Sequence, residues 1–475
     1  MNKLKKKMKM HINPFYGLVV AMVLLTAGCN KQLDLKPENI LVETQLLEDK
    51  NTTERLLAGG FEAQFEAQKQ EIPIADQSTG IAYLQTNNYY TGTIDANDAV
   101  ALGVWTGHYN VINIANVIIN NLAKNAKFDV GLQKQFIAEA KFLRAFSYMN
   151  LGVLYGDQAL TNPGGLCVPL RLTAFDRSDV NQIIPRSTNK QVFDQVVKDL
   201  TEAIPDLPDA YPGAAANFMD VKLRSRAAKS VGKAFLSRVY LYLGNYDGAV
   251  NNANMVLADN NYVLAADPSV VFPNNSSVKT VSANIPFNKE IVYGYPLSWS
   301  TSPIAHGFSF VVEPAFIQSY TKNDLRGTTM IGPGGLNLPA GAIGTNKYTS
   351  PNRYDNVMVI RLSEVMLNKA EALARRDGIN QTSVDLLNTI YQRAFLTGQK
   401  PALYTTGSFA SKDALITRIL QERRWELAYE GHDRFDRQRS GLAINPGFPA
   451  NKIPFPIPQS EINITSGVLT QNPGY

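Results

Sequence analysis

From Phe136 to Tyr155 the chain reads FIAEAKFLRAFSYMNLGVLY, with Phe142, Phe146, Met149 and Val153 at i, i+4, i+7 and i+11. That spacing puts four apolar side chains on one face and predicts a helix that buries it. The next stretch, GDQALTNPGGLCVP, supplies the Gly and Pro that end such a helix. A second amphipathic helix is predicted over Lys190 to Ala203, stopped by PDLPDAYPG, and a third over about Ser225 to Leu243.

The third helix runs into YLGNYDGAVNNANMVL, where Gly244 is followed by Tyr246 and then by Ala249 and Ala253 four apart. A turn glycine, an aromatic and small residues at i+4 resemble a tetratricopeptide unit, whose helices pack closely. Arg361 to Ala394 reads as another helical hairpin. These units are divergent and widely spaced. The expected fold is therefore mainly α, with irregular tetratricopeptide-like hairpins packed against a loop-rich region with few short strands. Residues 260–355, rich in Asn, Ser, Gly, Pro and Tyr, form that region, and 72–104 is expected to be loop-like as well. GPGGLNLPAGAIGTN (Gly332 to Asn346) lacks the Gly-Lys-Ser/Thr ending of a phosphate loop and reads as a surface loop.

The formal charge of +5 suggests nucleic acid until its distribution is read. Lys3, Lys5, Lys6, Lys7 and Lys9 precede every acidic residue, and without them 41 basic side chains face 41 acidic ones. A neutral body with no basic stripe argues against phosphate-backbone binding. The lysines head an apolar run, Phe15 to Leu25, too short to span a bilayer but suited to a secretory signal. Ala27-Gly28-Cys29 then resembles a bacterial lipobox. The expected organisation is a signal peptide over 1–28, a tether over 29–45 lipidated at Cys29, a helical part over 46–259 and a second part over 260–475. With Cys29 acylated, Cys167 is the one thiol left, so no internal disulfide forms, and the protein relies on core size for stability.

Catalytic and metal signatures are missing from the sequence. His11, His108, His306 and His432 are isolated, with no partner at i+3 or i+4. No Gly-x-Ser-x-Gly elbow, dinucleotide fingerprint or EF-hand spacing occurs, so no cofactor is expected and a structural calcium rests on no motif. The one dense cluster of charge is ERRWELAYEGHDRFD. Its acids Glu422, Glu426 and Glu430 are four apart, interleaved with Arg423 and Arg424. On a helix these groups reach one another, and carboxylates facing guanidinium groups stay ionised, the reverse of what a general acid needs. The expectation is ion pairing that clamps the helix to its neighbours, with Gly431 as its stop.

That stretch also resembles the C-terminal signature of the SusD/RagB family of Bacteroidota surface lipoproteins. Ala138 to Asp157, Arg361 to Leu373 and the closing FPIPQSEINITSGVLTQNPGY (Phe455 to Tyr475) resemble further motifs of that family, in the same order. The resemblance implies a non-enzymatic protein, anchored in the outer membrane through Cys29 and facing the cell exterior. Its implied partners are a glycan and a SusC-like TonB-dependent transporter. Peptide capture on the same scaffold is the first alternative, followed by a surface glycoside hydrolase and a purely structural adaptor. Aromatic rings suit sugars because C–H faces are apolar and the rings are rigid. Trp299 and Trp105 are the candidate platforms, and Tyr83, Tyr89 and Tyr90, with Asn87 and Asn88 as hydrogen-bonding neighbours, could complete an arc.

Overall fold

The computed structural model describes residues 43–83, 87–175, 182–211, 224–272, 288–295, 311–332, 341–347 and 357–475. The lipobox at Cys29 and the candidate platform Trp299 lie outside them. Helices dominate. The N-terminal half carries α1 (Glu43–Glu48), α2 (Lys50–Ser78), α3 (Asn88–Thr91), α4 (Ala99–Asn125), α5 (Val130–Tyr155), α6 (Asn189–Ala203), α7 (Lys229–Tyr242) and α8 (Tyr246–Leu257). The C-terminal half carries α9 (Pro314–Ser319), α10 (Leu362–Asp377), α11 (Gln381–Arg393), α12 (Lys412–Glu426), α13 (Asp433–Arg439) and α14 (Gln459–Ile464).

Local chemistry sets most of the boundaries. Asp98 caps α4 by accepting from the amides of Val100 and Ala101, at 3.1 and 2.8 Å. Thr188 and Gln191 form a reciprocal capping box at the start of α6. Gly244 turns α7 into α8 with φ +74°, a conformation that strains residues bearing a Cβ. Ala249 and Ala253 are buried, as close helix packing requires.

The helices pack in sequence: α2 and α5 on α4, α6 on α5, α8 on α7, then α10 on α8, and α11 and α12 on α10. All four residues of the predicted face, Phe142, Phe146, Met149 and Val153, are buried. Three antiparallel two-stranded pairs complete the described fold: β1 (Ala82–Tyr83) with β3 (Val311–Val312), β2 (Ile291–Tyr295) with β6 (Val357–Arg361), and β4 (Ile331–Gly332) with β5 (Gly344–Thr345). Tyr293 of β2 sets its ring 5.4 Å from both Phe65 of α2 and Phe142 of α5, which joins the strands to the helical core.

One expectation is corrected. Residues 72–104 are not one loop, because α2 continues through Pro73 to Ser78 and α4 starts at Ala99. An interior proline costs a helix about 3 kcal/mol. Burial of Ile72, Ile74 and Ala75 at this end of α2 offsets that cost.

Candidate functional site

The charged signature helix is the first place to look for chemistry, and its acids are engaged. Glu426 Oε1 accepts from Arg361 at 2.9 Å and Arg393 at 2.6 Å, while Oε2 accepts from Arg326 at 3.1 Å. Glu422 lies between Arg326 at 2.5 Å and Arg418 at 2.7 Å. Glu430 takes Arg361 and Lys347 at 2.8 and 2.7 Å. Glu290 and Asp324 close the set on Arg393 and Arg326. Five carboxylates (Glu290, Asp324, Glu422, Glu426, Glu430) thus face five cations (Arg326, Lys347, Arg361, Arg393, Arg418), almost all without solvent contact.

Burial alone would raise the Glu426 carboxyl, but Arg393, Arg361 and Arg326 outweigh it and hold Glu426 well below the carboxylate range. Glu430 is lowered in the same way, by Arg361 and Lys347 against burial. Groups locked in the ionised state cannot donate a proton to a leaving group near neutral pH.

The partners correct the helical reading. Only Glu422–Arg418 is an i, i+4 pair within α12, which ends at Glu426, so that Glu430 stands in the following turn. Arg423 reaches Asp436 at 2.9 Å and Asn368 at 2.6 Å, and Arg424 reaches Asp433 at 2.9 Å. Spacing predicted that the charges would pair with one another, whereas the tertiary fold supplies most of the partners. Gly431 lies beyond the helix, with φ +79° and its amide donating to Asp76.

A different surface offers an open site. The first part of α4 carries Thr106, Tyr109, Asn110 and Asn113 at i, i+3, i+4 and i+7, a polar face opposite the buried Val104, Val111 and Ile112. This face forms one wall of a groove of about 1020 Å³. Gln70 of α2 crosses Gly103 to reach it, and a Cβ at Gly103 would collide with the Gln70 amide.

The second wall is the segment 169–175 with 182–184, fastened to the helices by side chains. Tyr109 Oη donates to the Pro169 carbonyl at 2.8 Å, and Asn116 donates to the carbonyls of Arg171 and Thr173 at 3.2 and 3.0 Å. Asn116 is held in turn by Arg144, whose other donors go to Asp199. Asn113 accepts from the Phe175 amide at 2.7 Å, leaving the Phe175 ring half exposed. The Arg171 guanidinium lies 5.5 Å from the centre of that ring and donates to Gln182.

The third wall is α14 and the residues after it. Gln459 N–H donates to the Ala96 carbonyl at 2.8 Å. Asn472, of the closing QNPGY, donates to the carbonyls of Tyr155 and Phe455 and accepts from Arg186 at 2.7 Å. Glu461 of α14 faces the Trp105 indole. Burial raises its carboxyl above the usual range, and the contact with Trp105 opposes that rise. Ring surface, side-chain amides and one carboxylate therefore border an open trough. Such a lining suits a polyhydroxylated ligand, whose apolar C–H faces meet rings while its hydroxyls meet amides.

Of the described residues singled out in the sequence, Trp105 alone lines this groove. Trp105 contributes only an edge to it: the side chain is 2 % exposed and packs on Tyr109 and edge-on against Tyr155. Tyr89 is buried as well, with its hydroxyl on Asp98 at 2.6 Å and its ring against Phe455. These two candidates therefore belong to one packed aromatic cluster, joined through Tyr155 and Phe455, and present no open ring face. Asn87 and Asn88 are exposed at the start of α3, and Tyr90 is partly buried beside Gly80. Tyr83 pairs through its backbone with Val311. Trp425 packs on Tyr320 at 5.7 Å.

Sequence reading missed Tyr109, Asn113, Arg171, Phe175 and Glu461. The polar face of α4 was a usable signal, as was an isolated Phe in the polar run LRLTAFDRSD. Burial raises the Cys167 thiol to about 12, which leaves it an inert core residue. Among the described residues no three His, Cys, Asp or Glu side chains gather as metal ligands, and no helix is long and apolar enough to cross a membrane.

Comparison with known proteins now bears on this arrangement. Residues 31–241 match a family described as starch-binding and associating with the outer membrane, and residues 340–445 match the SusD family. SusD-like protein P2 of Formosa agariphila is 26% identical over 460 residues, covering 85% of each chain. Among solved structures, a SusD superfamily protein of Bacteroides thetaiotaomicron has a TM-score of 0.71 at 22% identity, over 89% of this chain and 99% of its own. A laminarin-binding SusD-like protein has a TM-score of 0.68 at 22% identity, over 90% and 100%. The structural matches establish a common fold and the sequence matches establish kinship: this chain belongs to the SusD/RagB family.

Proposed function

We propose that the protein captures a glycan at the cell surface and passes it to a SusC-like TonB-dependent transporter, held to the outer membrane by lipid on Cys29. The observation that carries this reading is the groove between α4, residues 169–175 with 182–184, and α14, where the Phe175 ring and the Asn110 amide are exposed. Family membership supports it, and so does the laminarin-binding relative of the same fold. The locked state of the Glu426 and Glu430 carboxylates supports binding without hydrolysis.

The test is calorimetric titration of the purified protein with a panel of laminarin, starch, xylan, mannan, alginate and peptide pools. Saturable binding of at least one glycan is expected, with no release of reducing ends. A response to peptides alone would overturn the glycan reading. Reducing-sugar release lost on substitution of a single acid would favour a hydrolase instead. For the anchor, Cys29→Ala should yield a folded protein that no longer fractionates with membranes.

A further inference from the structure

Residues 169–175 carry the groove's exposed ring, yet among the described residues no backbone–backbone hydrogen bond reaches them. Outside helix and sheet, such a segment takes its position from the side chains that bond its peptide groups. Tyr109 and Asn113, whose side chains line the groove, hold the Pro169 carbonyl and the Phe175 amide at its two ends. The middle is held from behind by Tyr148 of α5 and Asn116 of α4, both fully buried and neither part of the groove lining. The Tyr148 hydroxyl donates to the Arg171 carbonyl and accepts from the Arg171 amide, both at 2.6 Å. Asn116 donates to the Arg171 and Thr173 carbonyls. Its oxygen accepts from Arg144 at 2.8 Å, and Asp199 takes two further donors of that guanidinium at 2.8 and 2.7 Å. Turning the Asn116 amide over would break a charge-assisted bond, so its donor end stays on the two carbonyls.

We infer that Tyr148 and Asn116 are positioning residues for glycan capture: from inside the core they fix residues 169–175, and with them Arg171 and Phe175, before a sugar arrives. This inference rests on the glycan-binding reading of the same groove. A wall already in place removes the entropic cost of ordering it on binding. Apparent affinity then scales with the fraction of molecules whose wall is set. Deleting a buried bond behind the wall lowers that fraction without removing any contact to the ligand.

The experiment uses Tyr148→Phe, which deletes the hydroxyl and keeps the ring in the core. The probe is whichever of laminarin, starch, xylan, mannan and alginate binds the unaltered protein most tightly. Tyr148→Phe should weaken that binding about tenfold. Hydrogen exchange of the 171–175 amides should quicken in the free variant and slow again at saturating probe, a local reversal that a general loss of stability would not produce. Asn116→Asp is the second variant, since it keeps the acceptor for Arg144 and removes the donor to the two carbonyls; it should act in the same direction. Tyr211→Phe is the control: it removes another buried hydroxyl, bonded to the Ala227 carbonyl at 2.8 Å, and should leave affinity within about twofold. Unchanged affinity in both Tyr148→Phe and Asn116→Asp would overturn the inference and leave glycan capture standing. So would unaltered exchange at 171–175, or an equal loss of affinity in Tyr211→Phe. If none of the five glycans binds, the capture reading itself falls, and this inference with it.

Discussion

Two regions of this molecule use polar side chains in opposite ways. Around α12, five carboxylates and five cations are taken out of water and satisfied by one another, so that none is left for a ligand. At the groove between α4 and α14 the described lining carries few charges, and the half-exposed Phe175 ring and the exposed Asn110 amide meet solvent. Density of ionisable groups therefore misdirects the search for a binding site here. Charges that are buried and mutually paired bring distant segments together, whereas recognition is left to sparse groups on a solvated surface. The contrast is one of solvation: a desolvated ion needs a permanent partner, while a half-exposed ring or amide can exchange water for a ligand.

The largest expected effect tests the buried side of this contrast. Glu426→Gln leaves Arg361, Arg393 and Arg326 facing four carboxylates in place of five, and should destabilise the fold by about 3–5 kcal/mol in chemical denaturation. A stability near that of the unaltered protein would mean that the network does not clamp α12.

Acid should act on the same region. Against burial, Arg238 and then His432 hold Glu364 down at about 2, so its contribution is complete above the ordinary carboxylate value and is lost as pH falls toward about 2. Burial keeps His432 neutral down to about 4, while the unfolded chain takes up that proton near 6.5. Stability should accordingly decline from about pH 6.5 downward, by roughly 3 kcal/mol for each group across its own window. Denaturation midpoints between pH 7 and 3 would show this, and a flat profile above pH 4 would remove His432 from the account.

The groove should behave oppositely. Phe175→Ala removes a half-exposed ring and should weaken glycan binding about tenfold while moving folding stability by less than about 0.5 kcal/mol. A large drop in melting temperature with unchanged affinity would make Phe175 a packing residue. The smallest effect belongs to a solvated ion pair. Lys190→Ala breaks its contact with Asp194, where both side chains are about two-thirds exposed, and should cost less than about 0.5 kcal/mol. If that loss approached the cost at Glu426, burial would not be what distinguishes the two kinds of pair.

How much of this was legible in advance depended on the range of each interaction. The face of α5, the turn at Gly244, the small residues of α8 and the α10–α11 hairpin are written within a few residues of one another and could be read directly. The extent of α2 could not, since Pro73 argues locally for a break and only tertiary burial overrides it. Trp105 and Tyr89 looked available for a ligand because a sequence records ring type and not what covers the ring.

The sequence by itself therefore determined the helical scaffold, the family kinship and the confinement of excess charge to the first ten residues. These follow from periodicity, capping and motif order, all short-range. Tertiary structure alone decided which cation meets which carboxylate: Glu426 finds Arg393, Arg361 and Arg326 at separations of 33, 65 and 100 residues. It alone also decided that a loop phenylalanine, a helical tyrosine and a C-terminal glutamate border one groove. No local pattern encodes such meetings, because desolvation and packing act on distances in space and not along the chain.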